Sequence, residues 1–349
     1  MFDRGAVLYL YTETPLHPGV GAEPGWVDLP IQREAHTGHP LVQGPGLKGA
    51  LRSAALRWAE GARRGEAGQG QWKDKVVAVF GPETGNASDH AGCLSVGDAH
   101  VLLFPVASFS GVFGWVTCPG VLARYRRDAT RAGLSDLPDV PQDPGQDRVW
   151  VAERSGLLLD GAQCVALGDV AFSTVRNGQG QACPVAAWAE HLGPFLPDPF
   201  LANRLRKNLA VVDDEAFAFF VRHRTEVVTR IRMDPDLGTA RERGLWTEEL
   251  LPPDTLLYAP VAAAPPRTEA PAGLEDGSKV LYFVRGKVLG QAEQPGARRG
   301  QRQAGEAQRR RTGLLRLGGG ATVGRGLVWA AMEIPQAPGS GGAAQGDRP

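Results

Sequence analysis

Glycine and proline interrupt this chain at short intervals along most of its length. The sequence contains 46 glycines and 27 prolines in 349 residues. Glycine weakens the interior of a helix or strand, and proline removes a backbone hydrogen-bond donor, so both residues favour turns. The composition therefore excludes a helical bundle and predicts many turns and long loops, in one large domain with insertions or in two smaller domains.

Apolar segments of strand length alternate with segments of helical periodicity, without strict βαβ repetition. Residues 6–12 are rich in Val, Leu and Tyr and predict a buried strand. Leu47, Leu51 and Trp58 fall on one face of a helix predicted over 44–65. This interleaving favours an α+β sandwich over a doubly wound sheet. We predict further strands at 99–106, 110–118, 156–159, 164–175 and 256–263, and helices beginning near Pro119 and over 213–228.

Residues 231–252 contain two extended arms on either side of an Asp-Pro-Asp-Leu-Gly turn. Asp, Pro and Gly are the residues that build tight turns, and the flanking arms have strand-like composition. The segment predicts a long projecting hairpin.

The loop over residues 17–34, HPGVGAEPGWVDLPIQRE, carries a single aspartate, Asp28, with His17 upstream. Its glycines and prolines exclude a stable helix or a central strand. A lone carboxylate can coordinate a divalent cation or orient a sugar hydroxyl against a phosphorus. However, aspartate is also common in ordinary turns, and the residues alone favour that simpler interpretation. No HExxH or GxSxG motif supports conventional hydrolase chemistry.

Two other stretches have the composition of anion-binding sites. Lys48 and Arg52 lie on one face near the start of the helix over 44–65, where the helix dipole also favours anions; a solvated charged face is the alternative. The segment LGGGATVGRG, residues 317–326, could bring backbone N–H groups close to a polyanion or form a plain glycine hairpin. It is not a Walker A loop, because no Lys-Ser/Thr pair follows the glycines.

The net charge is zero, with 38 basic and 38 acidic residues. Any basic surface that binds nucleic acid must therefore be a local patch. The Gly/Gln/Arg-rich segment 285–312 has such a local excess of arginine, and its composition predicts a flexible insertion.

Four scattered cysteines without CxxC spacing predict reduced thiols and no zinc site. The apolar run near the N-terminus is too short for a signal peptide or a membrane span, so we expect a soluble, cytoplasmic protein.

Four long motifs together resemble a known family, in the family's order, from about residue 6 to residue 334. They are TPLHPGVG with VDLPIQREAHTGHPLVQGPGLKGALRS, FGPETGNASDHAGCLSVGDAHVLLFPVAS, IRMDPDLGTARERGLWTEELLPPDTLLY, and LRLGGGATVGRG. These motifs resemble those of the RAMP proteins of CRISPR effectors. Within that superfamily they are most similar to the repeated backbone subunits, fourth in naming order, of type III-B (Cmr) complexes.

The resemblance implies an α+β fold, a modified ferredoxin-like (RRM-like) palm with a projecting β-hairpin thumb and insertions. It implies a single RAMP domain over 1–334, with the thumb at about 230–252 and the Arg-rich insertion at about 285–312, followed by a disordered tail over 335–349. The expected partners are a guide crRNA, target single-stranded RNA, further copies of the chain in a helical filament, and other Cmr subunits. No membrane partner is expected.

The resemblance also implies a target-RNA endonuclease that leaves 2′,3′-cyclic phosphate and 5′-hydroxyl ends and requires a divalent metal, Mg²⁺ or Mn²⁺. Asp28 matches the family's catalytic loop aspartate, and it would hold the metal directly or through water. Glu248 and Glu249 at the thumb base are possible assisting groups. The expected RNA-binding residues are His17, Lys48, Arg52, Met233, Trp246, Gly318, Gly319, Gly320, Gly324 and Arg325, with Trp246 available to stack against a base.

Three other interpretations stay open at this stage. The chain could be a purely structural RNA-binding backbone with an inert Asp28, or the equivalent type III-A subunit. From another class, it could be a small-ligand or nucleotide-binding protein that uses the glycine loop. The Arg-rich segment and the tail exceed the family pattern, so we expect them to add RNA or subunit contacts or to act as spacers.

Overall fold

The structure is a computed structural model that describes residues 2–22, 25–62, 71–82, 90–159, 163–175, 184–234, 236, 238–267, 269–291 and 313–336. It contains fourteen strands and seven α-helices within those ranges. The strands are β1 Arg4–Thr12, β2 Leu41–Val42, β3 Leu94–Val96, β4 Ala99–Ala107, β5 Phe113–Thr117, β6 Arg148–Val151, β7 Cys164–Leu167, β8 Val170–Thr174, β9 Leu209–Val212, β10 Glu226–Met233, β11 Ala240–Leu250, β12 Leu256–Ala263, β13 Leu314–Arg316 and β14 Leu327–Glu333. The helices are α1 Gly44–Ala62, α2 Gln71–Phe80, α3 Pro119–Ala132, α4 Pro184–Leu192, α5 Pro199–Asn208, α6 Asp214–His223 and α7 Gly277–Phe283.

One large mixed sheet forms the body of the protein. Its strand order is β13-β14-β1-β12-β4-β5-β9-β6-β8-β7, while β2 adds to β4 and β3 adds to β12. Most pairs are antiparallel, but β5 with β9 and β6 with β8 are parallel. The architecture confirms the predicted α+β class, and we call this sheet with its helices the palm.

Strand β1 is an interior strand of the palm, between β12 and β14. Residues 6–11 of β1 are at most 1% exposed, on both faces of the sheet. A run of Val, Leu and Tyr suits this position because such side chains pack well on a pleated surface that is covered on both sides. Helices α3 and α7 pack against β1 and β12. The first strand is therefore fixed within the core, and the loop that follows it starts from a rigid position.

Strands β10 and β11 form a separate two-stranded sheet, which we call the thumb. They pair antiparallel from Glu226 with Leu250 to Met233 with Ala240, with a register shift between Ile231 and Met233. The side chains of Val227, Ile231 and Leu245, on one face of the thumb, are exposed. The predicted hairpin thus exists, and it begins a few residues before the predicted start because β-branched residues follow α6.

Several local predictions were wrong. The helix predicted over 213–228 ends at His223, and Glu226 already starts a strand whose Val-Val-Thr sequence favours extended backbone. Residues 156–159 form no strand but only an isolated bridge between Leu158 and Val165. The segment predicted as a flexible insertion from residue 285 begins with a helical turn that continues α7, and the Gln291 side chain bonds to β14. The rest of that segment, 292–312, and the tail beyond 336 lie outside the described residues.

Within the described ranges, no helix combines the length and apolarity that are needed to cross a bilayer.

Candidate catalytic and RNA-binding site

The loop that carries Asp28 is hydrogen-bonded to the thumb as a short third strand. The Leu29 N–H donates to the Thr247 carbonyl at 3.0 Å, and the Glu249 N–H donates to the Leu29 carbonyl at 3.0 Å. This is a parallel bridge between Leu29 and Glu248 on the outer edge of β11. Because the free edge of a strand offers unpaired backbone groups, a loop without helical propensity can pair there. The bridge sets Asp28 beside the base of the thumb.

Thr247 holds the Asp28 carboxylate in place through two donors. The Thr247 N–H and hydroxyl donate to Oδ2 of Asp28 at 2.7 and 2.9 Å, and the same hydroxyl accepts from the Asp28 N–H at 3.0 Å. The backbone and side-chain hydrogen bonds from Thr247 lower the pKa of Asp28 below its ordinary value of 3.8, although the carboxylate is exposed. Asp28 is therefore ionised and oriented at neutral pH, and Oδ1 accepts no bond from any other described residue.

Glu249 at the thumb base is buried, and both of its carboxylate oxygens have hydrogen-bond partners. Its Oε1 forms an ion pair with Arg33 and accepts from the Thr225 hydroxyl at 2.7 Å. Its Oε2 accepts from the Ile31 N–H at 3.1 Å. Glu249 is 6% exposed. This carboxylate fixes the segment that follows Asp28, so its geometry gives Glu249 a positioning role in place of the direct assistance that the resemblance suggested.

Glu248 belongs to a second cluster, on the opposite face of the thumb from Thr247. It forms ion pairs with Arg325 and, at 3.3 Å, with Arg230, and it accepts from the Trp246 indole N–H at 3.2 Å. Burial raises the pKa of Glu248, but the bonds from Trp246, Arg325 and Arg230 outweigh burial and lower the pKa overall. Glu248 is thus ionised and paired, and it ties the thumb to the glycine-rich loop after β13.

The glycine-rich loop and His17 pack against each other beside this cluster. The Gly319 N–H donates to the His17 carbonyl at 2.9 Å, and Nδ1 of His17 donates to the Glu249 carbonyl at 2.7 Å. Gly318 has a φ of 72°, and a Cβ there would lie 2.4 Å from the His17 carbonyl oxygen, so this position requires glycine. Gly320 and Gly324 flank a 3₁₀ turn at Ala321–Val323.

Trp246 is less available for stacking than the sequence suggested. It is half-buried, its indole N–H is bonded to Glu248, and the Arg230 guanidinium lies 5.8 Å from its ring centroid. Met233 lies at the far end of the thumb, where it pairs with Ala240 and is 50% exposed. The structure therefore brings neither residue next to Asp28 as an open aromatic or apolar surface.

Lys48 and Arg52 lie on α1, which begins next to the same loop. The Gln43 N–H, at the start of the helix, donates to Oε1 of Gln32 at 2.8 Å. Lys48 is half-buried, and burial lowers its pKa, while one guanidinium N–H of Arg52 donates to the Pro82 carbonyl at 2.9 Å. The loop over 28–32 thus connects the thumb base on one side with the start of the basic helix on the other.

The sequence motifs are mostly assembled into one site, which we call the thumb-base site. It brings together Asp28, His17, Gly318, Gly319, Glu248, Glu249, Trp246 and Arg325. Sequence reasoning missed Thr247 and Arg33, which hold Asp28 and its neighbours. An exposed-strand threonine and a loop arginine carry no motif of their own, so only the three-dimensional structure identifies these two residues.

The described residues contain no group of three His, Cys, Asp or Glu side chains that could hold a metal ion. Asp28 itself offers Oδ1. A hard cation such as Mg²⁺ is commonly held by one or two carboxylates together with substrate phosphates and water. The donor set therefore fits a cation shared with a bound phosphodiester, and it does not form a closed protein site.

An α+β palm, a two-stranded thumb and a loop carboxylate held at the thumb base define the class of protein to which this chain belongs. The family model of the RAMP superfamily matches residues 9–329. The chain belongs to the RAMP superfamily.

Individual relatives agree with this assignment. The chain is 34% identical over 321 residues to the CRISPR system Cmr endoribonuclease Cmr4 of Pyrococcus furiosus, a match that covers 91% of this chain and 92% of that protein. The crystal structure of oligomeric Cmr4 from Pyrococcus furiosus superposes with a TM-score of 0.65 at 25% identity, covering 96% of this chain and 99% of the other. A chain of the type III-B Cmr-beta complex bound to cognate target RNA, seen by cryo-EM, shares the fold, with a TM-score of 0.61, 17% identity, and coverage of 95% and 98%.

Proposed function

We propose that this chain is the repeated backbone subunit of a type III-B CRISPR effector complex and that it cleaves target RNA. In this proposal, copies of the chain form a filament along a guide crRNA together with other Cmr subunits. Complementary single-stranded target RNA pairs with the guide and is cut at regular intervals. One observation carries the proposal above all: an exposed, ionised carboxylate is held rigidly at the thumb base of a RAMP fold.

The protein relatives support the assignment of substrate and partners. A protein that is 34% identical over 91% of the chain is named an endoribonuclease, and its structural counterpart is oligomeric. The fold is also that of a subunit in a complex with target RNA. A filament explains the regular spacing, because each copy contributes one thumb and one Asp28 along the RNA.

The reaction that we propose uses the target's own 2′-hydroxyl as the nucleophile. The 2′-oxygen attacks the adjacent phosphorus, and its proton passes to water. The bond from phosphorus to the 5′-oxygen breaks, and the leaving oxygen takes a proton from water, which yields a 2′,3′-cyclic phosphate and a 5′-hydroxyl end. Such a reaction requires in-line geometry above all, and correct orientation alone contributes several kcal/mol to catalysis. The ionised Asp28 would accept a hydrogen bond from the attacking hydroxyl through Oδ1, while Thr247 fixes Oδ2.

A divalent metal, Mg²⁺ or Mn²⁺, is part of this proposal. Asp28 would hold it directly or through water, with target phosphate oxygens as further ligands. The cation would supply stabilisation of the negative charge that develops on the phosphoryl group. The chain's own contribution is the orientation of the carboxylate.

The remaining residues would hold the RNA strands. Lys48 and Arg52 would contact guide phosphates near the start of α1, where the helix dipole adds to their charge. The backbone of Gly318, Gly319, Gly320 and Gly324 would lie along the RNA beside His17 and Arg325. The thumb, including Met233 and Trp246, would interrupt the guide–target duplex.

We also infer a cytoplasmic location, since Cys93, Cys118 and Cys164 are free thiols.

The experiment that tests the proposal compares Asp28→Ala with a matched exposed aspartate. Asp143 also lies in a loop and accepts a backbone N–H, from Gly145 at 2.8 Å, but it is remote in sequence from the thumb. Complexes are assembled with guide RNA and incubated with labelled target RNA and Mg²⁺, and the products are mapped on a denaturing gel. We expect evenly spaced products from the wild type and from Asp143→Ala. Asp28→Ala should lose about 10²- to 10⁴-fold in rate while assembly is retained.

Two further measurements sharpen this test. Removal of divalent cations by EDTA should stop cleavage, and added Mg²⁺ or Mn²⁺ should restore it. Resistance of the upstream product to 3′-end ligation would support the proposed ends if it is relieved only when acid opening of the cyclic phosphate is followed by phosphatase treatment. Undiminished cutting by Asp28→Ala would show that the chain is a passive scaffold or that another residue performs the reaction.

A further inference from the structure

Trp26 is the most exposed large hydrophobic side chain among the described residues. Its relative accessibility is 102%, compared with 87% for Phe109 and 70% for Phe200. A tryptophan usually buries a large apolar area on folding, and that burial is a major source of stability. Trp26 contributes none of it in the isolated chain. No described side chain covers its ring, so both faces of the indole are open.

The loop that carries Trp26 is nevertheless anchored at its stem and at Asp28. The Val20 N–H donates to the Pro30 carbonyl at 3.3 Å, and Gly19 forms a bridge with Ile31. These contacts close the stem of the loop, and the bonds from Thr247 fix its far side at Asp28. Residue 26 is two residues from Asp28, so the two Cα atoms are at most about 7 Å apart. The residue that carries the open indole is therefore close in the backbone to the oriented carboxylate.

We propose that Trp26 is the stacking platform for the target base next to the phosphodiester at Asp28. This inference rests on the function proposed above. Nucleobases stack on exposed aromatic rings in single-stranded RNA recognition, and such stacking tolerates any base because every base has a π-face. A nucleotide displaced from the duplex needs such a surface, since its base has lost its neighbours in the stack.

The geometry favours Trp26 over Trp246 for this role. The ring of Trp246 is half-buried between Arg230 and Glu248, and its N–H is already bonded. Trp26 has no such partners and lies on the same loop as the reacting carboxylate. By stacking on Trp26, the flipped nucleotide would be held with its 2′-hydroxyl near Oδ1 of Asp28. Trp26 is thus a positioning residue, and its effect is on orientation more than on overall target affinity.

The direct test measures stacking without cleavage. Complexes that carry Asp28→Asn are assembled with guide RNA and given a target with 2-aminopurine next to the mapped cut. We expect strong quenching of the 2-aminopurine fluorescence when Trp26 is present. The quenching should be lost in Trp26→Ala and retained in Trp26→Phe. Phe109→Ala, a change at an exposed aromatic outside the thumb-base site, should leave it unchanged.

A second test measures the rate with Asp28 intact. At saturating target, Trp26→Ala should lower the single-turnover rate about 5- to 150-fold, the range that corresponds to one base stack. Trp26→Phe should recover most of that loss, and Phe109→Ala should match the wild type. Target affinity should change little, because guide pairing dominates it.

The outcomes separate the possible failures. Trp26-dependent quenching in a wild-type complex that does not cut would leave the stacking proposal standing and refute the proposed cleavage. Normal cutting and quenching by Trp26→Ala would overturn the stacking proposal alone. Loss of filament assembly in Trp26→Ala, measured by mass photometry, would also overturn it and would show that Trp26 contacts a neighbouring subunit.

Discussion

Three carboxylates lie within one short region of the molecule, yet they have different surroundings. Glu248 and Glu249 at the thumb base are buried and paired with arginines. Asp28, on the loop that pairs with the same strand, is exposed, and among the described residues its carboxylate is held by Thr247 alone. Buried ion pairs fix geometry because each charge already has its partners. The comparison teaches that Glu249 positions the Asp28 loop and Glu248 ties the thumb to the glycine-rich loop, whereas the aspartate has an oxygen to offer to a substrate.

The largest effect that would test this comparison is expected for Glu249→Ala. The change removes the partner of Arg33 and the acceptor of the Ile31 N–H. Loss of one member of a buried ion pair usually lowers the free energy of unfolding by about 3 kcal/mol or more. Because Arg33 is partly exposed, we expect a loss of about 3 kcal/mol, the lower end of that range. We expect a clear drop in the thermal unfolding midpoint of the isolated subunit, with cleavage reduced because the segment after Asp28 is loosened.

Glu249→Gln provides the matched variant. The amide oxygen can still accept a hydrogen bond from Ile31 or Thr225, so the loss of stability should be smaller. Cleavage by this variant should fall only in step with its stability. A stable Glu249→Gln protein whose cleavage falls as far as that of Asp28→Ala would contradict the positioning role and restore Glu249 as a reacting group.

An intermediate effect is expected at the glycine-rich loop. Gly318→Ala would force a Cβ to within 2.4 Å of the His17 carbonyl at a φ of 72°. We expect it to cost about 2 kcal/mol, since a clash adds to the left-handed backbone penalty. Gly324→Ala is the control, because φ is 83° there but no atom of the described residues lies within 4 Å of the added Cβ. It should cost only about 1 kcal/mol.

Thermal unfolding of both glycine variants, with guide RNA binding measured in parallel, checks this prediction. Equal stability losses at the two positions would show that the contact with His17 contributes nothing. In that case the two sides of the thumb-base site would be independent of each other.

The smallest effect is expected for Thr247→Val, which removes one of the two donors to Asp28. The pKa of Asp28 is lowered by Thr247, so the carboxylate is ionised above its ordinary pKa of 3.8 and is protonated only at still lower pH. Without the hydroxyl, the pKa should rise towards 3.8, and the acid limb of the titration should move to higher pH. The remaining backbone N–H donor keeps part of the shift.

A ¹³C NMR titration of aspartate-labelled protein, assigned by difference from Asp28→Asn, would measure this change. Thr229→Val is the control, because Thr229 lies opposite Thr247 on the thumb without a bond to Asp28. An unchanged Asp28 titration in Thr247→Val would mean that Thr247 does not hold the carboxylate in solution.

Much of the fold could be predicted from the sequence because its elements carry strong local patterns. The run of Val, Leu and Tyr in β1 is typical of a buried strand, and the turn residues between β10 and β11 are typical of a hairpin. Few other secondary structures are compatible with these two patterns. The end of α6 was missed because helical periodicity continues past His223, while pairing with β11 draws residues from Glu226 into a strand. The start of the Arg-rich segment was also misjudged. Its composition is polar, but Gln291 finds backbone partners on β14.

The candidate site was predictable only in part. Asp28, His17 and the glycines belong to motifs, so a resemblance could find them. Thr247 acts on Asp28 from 219 positions along the chain, and no local pattern predicts that contact. The difference between Trp26 and Trp246 likewise depends on burial, which the sequence does not show for either residue. Stacking was expected for the tryptophan on the thumb, but the open ring lies on the loop.

The short parallel bridge between Leu29 and β11 has a mechanical consequence. Since Asp28 and Leu29 are bonded to Thr247 and Glu249 of the thumb, any bending of the hairpin relative to the palm would carry the carboxylate with it. The Asp28 carboxylate and the thumb, which interrupts the duplex in the proposed function, would then move together as one rigid unit. One movement of the thumb would then both displace a nucleotide from the duplex and bring the Asp28 carboxylate to the sugar of that nucleotide. No separate step would be needed to bring the carboxylate and the sugar together.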